Sequence, residues 1–145
     1  MRAVVQRVKY GSVTIEGQKI AEIQTGLVIL LGIGPQDTKE KAVLMARKIS
    51  LMRIFSDEQG KINLSIKDLG ASAVVVSQFT LYADTRKGNR PSFTDAAPPA
   101  LARRLVDFFI TCLQGEGVPT QSGEFGAHMQ VKIHNDGPVT IWLEA

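Results

Sequence analysis

The chain has 145 residues, 44% hydrophobic and 21% charged, an ordinary composition for a globular fold, and we expect one domain over residues 1–145. A single cysteine excludes an internal disulfide framework, and two histidines leave few metal ligands, so we expect neither a metal nor another cofactor. The net charge of +3 is compatible with RNA or another phosphate-bearing partner but does not require one.

Strand patterns fill the beginning of the chain. Residues 3–9 and 12–16 alternate between apolar and polar side chains, and residues 16–19 predict a hairpin turn into a strand over residues 20–24. Residues 27–34 are a short apolar run rich in branched side chains, which is typical of a strand buried on both faces. Charges in the first strand argue against a secretory signal, and no apolar run is long enough to span a membrane. We therefore expect a cytoplasmic, soluble protein.

A helix follows this buried strand. Asp37, with Glu40 three residues later, predicts its capped start. Apolar residues then recur at spacings of three and four, which indicates a buried stripe formed by Ala42, Met45, Ile49 and Met52. The polar side carries Arg47, Lys48 and Arg53, for which solvent exposure and RNA contact are both open interpretations.

A second helix is predicted further along the chain. Pro98 and Pro99 suit the first turn of a helix, and Gly115 and Gly117 mark its end. The apolar stripe is predicted to consist of Leu101, Leu105, Phe108 and Cys112. On that stripe Cys112 is interpreted as a small core residue and not as a nucleophile.

The remaining strands complete the fold prediction. Residues 73–79 indicate a buried strand, and residues 126–134 and 139–143 alternate on either side of residues 135–138. Within that last segment, Asp136 followed by Gly137 is a strong signal for a hairpin turn. The pattern predicts an α+β fold in which two main helices pack on antiparallel or mixed, barrel-like β-sheets.

The end of the strand over residues 73–79 is the candidate site for chemistry. Ser77, Gln78, Phe79 and Thr80 lie where a buried strand leaves the core, so their backbone N–H groups could stabilise the oxyanion of an acyl-transfer reaction. The hydroxyl groups could equally satisfy only the local backbone. A serine hydrolase using Ser77 with His128 or His134 is disfavoured, because the chain lacks the nucleophile-elbow motif.

A basic loop lies a few residues downstream. Arg86, Lys87 and Arg90 surround a glycine without interleaved aromatic residues, a pattern that suits phosphate contact better than base stacking. Solvated charge is the alternative interpretation.

Five motifs in this order resemble the D-aminoacyl-tRNA deacylase family, and the resemblance covers the whole chain. In chain order they are GKINLS at residues 60–65, SQFTLYAD at 77–84, KGNRPSF at 87–93, GEFGA at 123–127 and NDGPVT at 135–140. A close relative of the family that edits L-aminoacyl-tRNA has Pro-Gln-Ala-Thr where this chain has residues 77–80. Ser77 and Phe79 therefore favour the D-specific branch.

The resemblance implies a homodimer that hydrolyses the ester of D-aminoacyl-tRNA, and of glycyl-tRNA mischarged on the alanine tRNA. It implies a cis bond between Gly137 and Pro138, with this pair inserted into the partner subunit's pocket to reject L-amino acids. It also implies that the tRNA 2′-hydroxyl assists water while N–H groups near Gln78 and Phe79 hold the oxyanion. Ser77, Gly137 and Pro138 would then bind substrate, Gln78, Phe79 and Thr80 would be the catalytic positions, and Arg86, Lys87 and Arg90 would contact tRNA.

Two alternatives stay open at this point. Thr80 could act as a nucleophile, although no activating base lies close to it in sequence. The chain could also be a non-catalytic tRNA-binding module, which the basic charge balance would suit.

Overall fold

A computed structural model describes residues 1–145 as eight strands, two α-helices and one short 3₁₀ helix, Phe79–Tyr82. The helices are α1 (Lys39–Leu51) and α2 (Pro99–Gly115). The strands are β1 (Arg2–Ile15), β2 (Gln18–Ile23), β3 (Gly26–Gly32), β4 (Phe55–Ser56), β5 (Ile62–Leu64), β6 (Ser72–Ser77), β7 (Thr120–Ser122) and β8 (Gln130–Glu144).

The long strand β1 organises the main sheet. The strand order is β2-β1-β3-β6-β7, and β8 also pairs with β1. Strands β1, β2, β3 and β8 pair antiparallel, whereas β6 is parallel to both β3 and β7. This mixed sheet curves almost into a barrel with both helices packed on it, which confirms the predicted α+β class. None of the helices combines the length and the apolar character that crossing a membrane requires.

The alternation of side chains along the strands builds two cores. On one face, Leu27, Ile29 and Leu31 of β3 pack with buried residues of both helices. On the other face, Val28 of β3 and Val74 of β6 belong to a smaller cluster closed by the curvature of the sheet. Because β3 is covered on both sides, its continuous apolar run was the correct signal for a buried strand.

The starts of the two helices separate one correct prediction from one wrong one. Helix α2 begins with Pro98 and Pro99 and ends at Gly115, as predicted. Helix α1 is capped by Thr38, whose hydroxyl accepts a hydrogen bond from Lys41 N–H, and not by Asp37. The cap prediction was wrong because the Asp37 carboxylate is already bound elsewhere in the core.

The buried stripe of α2 was predicted correctly at Leu105 and one residue out of place at its other three positions. The buried side chains include Ala102, Val106 and Phe109, whereas Phe108 and Cys112 are only half-buried. A shift of one residue rotates a helix by about 100°. The sequence allowed either choice, because apolar residues occupy adjacent positions of this helix, including Phe108 and Phe109.

The hairpin predicted at residues 135–140 is absent. Both halves of β8 pair antiparallel with the same strand β1, so the chain continues in one direction through this segment. Asn135 pairs with Val8 and Thr140 with Gln6, which leaves the four residues between them opposite Arg7 alone. Asp-Gly therefore marks a bulge of four residues inside one strand, and the bulge projects from the sheet edge.

Asp37 joins the end of β3 to the 3₁₀ helix. Its carboxylate accepts hydrogen bonds from the Met1 ammonium group at 2.5 Å, the Gly34 N–H at 2.7 Å and the Tyr82 hydroxyl at 3.3 Å. Burial alone would raise the pKa of this carboxyl group, but the bonds from Met1 and Gly34 outweigh burial and lower it. The ionised carboxylate is therefore a structural crosslink.

Replacing Asp37 tests this crosslink. Because its folded-state pKa is lowered, the carboxylate stabilises the fold above its unfolded-state pKa, and this stability is lost as the pH falls through the folded-state pKa. We expect Asp37→Asn to reduce the free energy of unfolding at neutral pH by about 3 kcal/mol, since it leaves a buried ammonium group unpaired. Urea unfolding at neutral and at strongly acidic pH measures both effects, and the Asn variant should lose part of the acid sensitivity.

The exposed carboxylate Glu58 provides the control. Glu58→Gln should change the free energy of unfolding by less than about 0.5 kcal/mol. Equal effects of the two substitutions would contradict a structural role for Asp37.

Candidate active site

A pocket of about 660 Å³ lies where β3 and β6 end. Its wall includes Ser77, Gln78 and Phe79, and side chains from the start of α2 and from residues 125–129 complete it. None of its lining residues has an ionisable side chain. An apolar pocket with few polar groups is the usual form of a small-ligand site, but here neither a general base nor a charged anchor comes from the pocket wall.

Residues 77–80, the predicted site for chemistry, lie at the mouth of this pocket in different roles. The Gln78 N–H extends the parallel ladder by donating to the Leu31 carbonyl at 2.8 Å, so this group is already paired. The next residues open the 3₁₀ helix, and the first N–H groups of a helix have no partner within it. Phe79 and Thr80 therefore offer backbone donors at the mouth of the pocket.

Thr80 is exposed and is not part of the pocket wall. Its hydroxyl oxygen accepts a hydrogen bond from the side-chain amide of Gln78. An amide N–H cannot remove a proton from the hydroxyl group, so this contact orients Thr80 without activating it.

Two contacts fix the far end of the 3₁₀ helix. Arg2 donates to the Leu81 carbonyl at 3.0 Å, and its guanidinium group lies 4.4 Å from the centre of the Tyr82 ring. The Tyr82 hydroxyl donates to Asp37, and burial together with this carboxylate raises the pKa of the phenol. Tyr82 is thus a neutral hydrogen-bond donor, and the helix is held to β1 and to the β3 end.

The Gly137–Pro138 pair occupies the projecting bulge of β8, and its peptide bond is cis. Both residues are exposed. Gly137 has a φ of +119°, which lies in the region that only glycine adopts easily. A Cβ atom on Gly137 would also lie 2.9 Å from Arg7 Nη2 and 3.0 Å from Val139 Cγ2. A side chain at this position would therefore strain the backbone and also clash with its neighbours.

Arg7 supports this bulge and was missed at the sequence level. Its guanidinium group is buried, donates to the Ile54 carbonyl at 2.6 Å and pairs with the Asp136 carboxylate at 3.1 Å. Asn135 completes the frame by donating to the carbonyls of Arg7 and Val139. The available signal was a charged residue inside an apolar strand, because a buried arginine must find partners.

The bulge and the pocket of the same chain lie far apart. Gly137 lies opposite Arg7, whereas Ser77 aligns through Leu31 with Ala3. Four residues along β1 and three strand spacings across the sheet separate them, which amounts to roughly 20 Å. The structure does not bring these two sets of predicted residues together within one chain.

The basic loop presents only two of its three cations freely. Arg86 forms a bidentate pair with Asp84, with distances of 2.8 and 2.7 Å, and this pair lowers the pKa of Asp84 to about 2. Lys87 and Arg90 are exposed and form no ion pair within the chain.

The histidines and the cysteine lie outside the pocket wall. His128 and His134 are both exposed, and the His134 ring packs against the Tyr10 ring with ring centres 5.2 Å apart. Neither forms a hydrogen bond with Ser77, so the arrangement of a serine hydrolase is not present. No three His, Cys, Asp or Glu side chains form a cluster that could hold a metal ion.

The comparisons of the sequence with known proteins agree on one family. A family model described as D-Tyr-tRNA(Tyr) deacylase matches residues 4–144. A relative from Roseiflexus castenholzii, named D-aminoacyl-tRNA deacylase, is 55% identical over 145 residues, covering all of this chain and 92% of the relative. One from Thermosipho africanus with the same name is 49% identical and covers all of this chain and 97% of the relative.

Two solved structures are similar along their whole length. One, titled c-Myc DNA Unwinding Element Binding Protein, has a TM-score of 0.93 and 44% identity, and the match covers 100% of this chain and 99% of that one. The other, titled a probable eukaryotic D-amino acid tRNA deacylase, has a TM-score of 0.83. At 17% identity, with 98% and 97% of the two chains covered, the second shows the shared fold alone.

Proposed function

This chain belongs to the D-aminoacyl-tRNA deacylase family, and we propose that it hydrolyses the ester bond of D-aminoacyl-tRNA and of glycyl-tRNA mischarged on the alanine tRNA, while rejecting L-aminoacyl-tRNA. The observation that carries the proposal is a pocket without ionisable side chains beside free backbone donors at Phe79 and Thr80. Such a substrate would place the chain in the cytoplasm, where aminoacyl-tRNA is made and used.

The pocket suits a reaction in which the substrate brings its own proton-transfer group. Attack of water on the ester carbonyl puts negative charge on its oxygen, and N–H donors at the start of the 3₁₀ helix stabilise that charge, typically by about 3–4 kcal/mol per donor. The pocket wall offers no base to activate the water. We assign that role to the 2′-hydroxyl of the terminal ribose, the hydroxyl group nearest to the ester.

The terminal adenosine has a suitable surface in the pocket. Phe93 and Phe125 line the pocket, and Phe79 and Phe93 make an edge-to-face contact with ring centres 5.1 Å apart. Aromatic faces bind nucleobases by stacking without reading their sequence. This suits an enzyme that acts on the 3′-adenosine shared by all tRNAs.

Stereoselectivity is assigned to Gly137 and Pro138, acting in the pocket of a second copy of the chain. The roughly 20 Å between the bulge and its own pocket supports action across a dimer, because no substrate group at Phe79 spans that gap. The bulge is exposed and held rigid by Arg7, as an inserted wedge requires. A rigid backbone edge excludes an L side chain by steric contact, whereas weaker apolar contacts discriminate only about 10–200-fold.

Mixed dimers test insertion into the partner. Gly137→Ala adds a methyl group to the edge inserted into the partner, where it would block the partner's pocket, and Ala127→Trp fills the chain's own pocket, so each pure dimer should be inactive. When the two variants are mixed, a dimer with one copy of each combines an open pocket with an intact wedge from the partner, and statistical assortment predicts about a quarter of wild-type activity. Absence of recovery would contradict insertion into the partner.

Gly60→Ala is the matched control for Gly137→Ala, because Gly60 also has a positive φ but a Cβ atom added there would have no neighbouring atom within 4 Å. Gly60→Ala should keep full activity, although it should lower the free energy of unfolding by about as much as Gly137→Ala does. If both variants lost activity equally, backbone strain alone would explain the effect.

The stereoselectivity of the reaction is tested with D-tyrosyl-tRNA and L-tyrosyl-tRNA in the presence of a chelator. We expect hydrolysis of the D-ester at least about 100-fold faster than hydrolysis of the L-ester, since the wedge excludes the L side chain. Equal rates, or no hydrolysis of either, would overturn the proposal. Loss of activity on chelation would overturn its metal-independent part.

Thr80→Ala separates the two possible mechanisms. If the tRNA hydroxyl assists water, hydrolysis of D-tyrosyl-tRNA should fall by less than roughly 10-fold, whereas loss of a nucleophile costs on the order of 10³-fold or more. Thr94→Ala removes another hydroxyl from the pocket region and controls for a general change of polarity. A trapped ester on Thr80 would contradict the water-based mechanism.

A non-catalytic nucleic-acid-binding module is the second candidate. The net charge of +3 favours it, as does the DNA-binding title of the similar structure at 44% identity. It requires binding of uncharged tRNA without any hydrolysis, so the same assay decides between the two.

A further inference from the structure

The last turns of α1 form a basic cleft that the proposed reaction does not use. The cleft has a volume of about 610 Å³ and is lined by Leu44, Arg47, Lys48, Leu51, Met52 and Arg53, a set called here the α1 patch. Leu44 is 65% exposed and Leu51 49% exposed, and the three cations are exposed as well. The feature therefore combines a shallow, open depression with apolar surface and positive charge at one helix end.

The charges of the α1 patch are uncompensated. Arg47, Lys48 and Arg53 have no carboxylate within ion-pair distance, in contrast to Arg86 in the basic loop, which pairs with Asp84. The pKa of Asp68 is lowered mainly by hydrogen bonds from Ser65, and the charge of Arg53 contributes less to this shift. Three free cations and no acid among six lining residues are complementary to a polyanion.

The C-terminal end of the α1 patch is linked to the projecting bulge through Arg7. Arg53 immediately precedes Ile54, whose carbonyl accepts the hydrogen bond from Arg7, and the same guanidinium group binds Asp136. One side chain therefore connects the end of the patch to the segment that carries Gly137. If the bulge enters the partner's pocket as proposed, the end of the patch at Arg53 would come close to the mouth of that pocket.

We propose that the α1 patch binds the sugar–phosphate backbone of the acceptor stem whose aminoacylated 3′ end occupies the partner protomer's pocket. This rests on the proposed function. The RNA must leave that pocket past the bulge, and phosphate contacts from arginine and lysine position a nucleic acid without reading its sequence. A protein partner fits less well, because interface centres are depleted of charge and rich in aromatic residues, and this cleft has no aromatic residue.

The test compares two double variants on two substrates. Arg47→Gln with Arg53→Gln removes patch charge, and Lys39→Gln with Lys132→Gln removes two exposed cations elsewhere. The substrates are D-tyrosyl-tRNA and D-tyrosyl-adenosine, which lacks the stem. We expect the patch variant to bind tRNA roughly 10–100-fold more weakly and to reduce the salt slope of log K by about 2, with hydrolysis of D-tyrosyl-adenosine unchanged.

The outcomes are distinguishable. If the wild-type protein cleaves neither D-ester, the proposed function fails. If it cleaves both and the two double variants bind tRNA equally well, the α1 patch is not an RNA site and the inference fails alone. Equal loss on both substrates would also overturn the inference, because the patch would then act through the fold or the pocket.

Mixed dimers add a measurement that a general electrostatic effect would not reproduce. In the pair described above, the Ala127→Trp protomer supplies the wedge to the only open pocket. Patch substitutions on that protomer should weaken activity on D-tyrosyl-tRNA, and the same substitutions on the Gly137→Ala protomer should not. Identical effects on both protomers would contradict the assignment to the partner.

Discussion

The buried guanidinium group of Arg7 is the interaction on which this architecture depends. It binds the Ile54 carbonyl after α1 and the Asp136 carboxylate in the bulge, so one side chain fixes a helix end to an exposed segment of β8. Burying a charge without partners costs free energy. Moving Ile54 or Asp136 away from the guanidinium group would incur that cost, so both are held in place. The rigidity of the bulge and its link to the end of the α1 patch both follow from this arrangement.

In the proposed reaction, the pocket supplies binding and backbone donors, and the substrate supplies the group that transfers protons. Its wall provides shape, aromatic surface and backbone donors, but no side chain that exchanges protons. Backbone donors at the start of a helix cannot be altered by substitution of their own side chains. Under the proposed function, the enzyme would control its chemistry through which ester can enter, and its selectivity would lie in an element that approaches from outside the pocket.

The sequence predicted the helices and strands better than it predicted the contacts between residues that are distant in sequence. Local signals located both helices and the buried strand at residues 27–34, because periodicity and proline placement depend on neighbouring residues. Asp37 was misassigned as a cap because its true partner, the Met1 ammonium group, is distant in sequence. The Asp136-Gly137 signal predicted a reversal, since only the pairing of both halves of β8 with β1 distinguishes a bulge from a hairpin. Residues 77–80 were singled out from a strand end, and the structure places Ser77, Gln78 and Phe79 in the pocket wall, whereas the role of Arg7 required the fold.

The pairing of β1 with β8 has a consequence for biosynthesis. These strands join residues 2–14 to residues 130–144, so the central strand gains this neighbour only when nearly all of the sequence is available. Contacts of such sequence separation form late and slowly, because a long loop must close first. A growing chain therefore cannot display a completed bulge before residues 130–144 have been translated. Under the proposed function, an enzyme that acts on the ribosome's own substrates would gain its selectivity element only after β8 has been made and paired with β1.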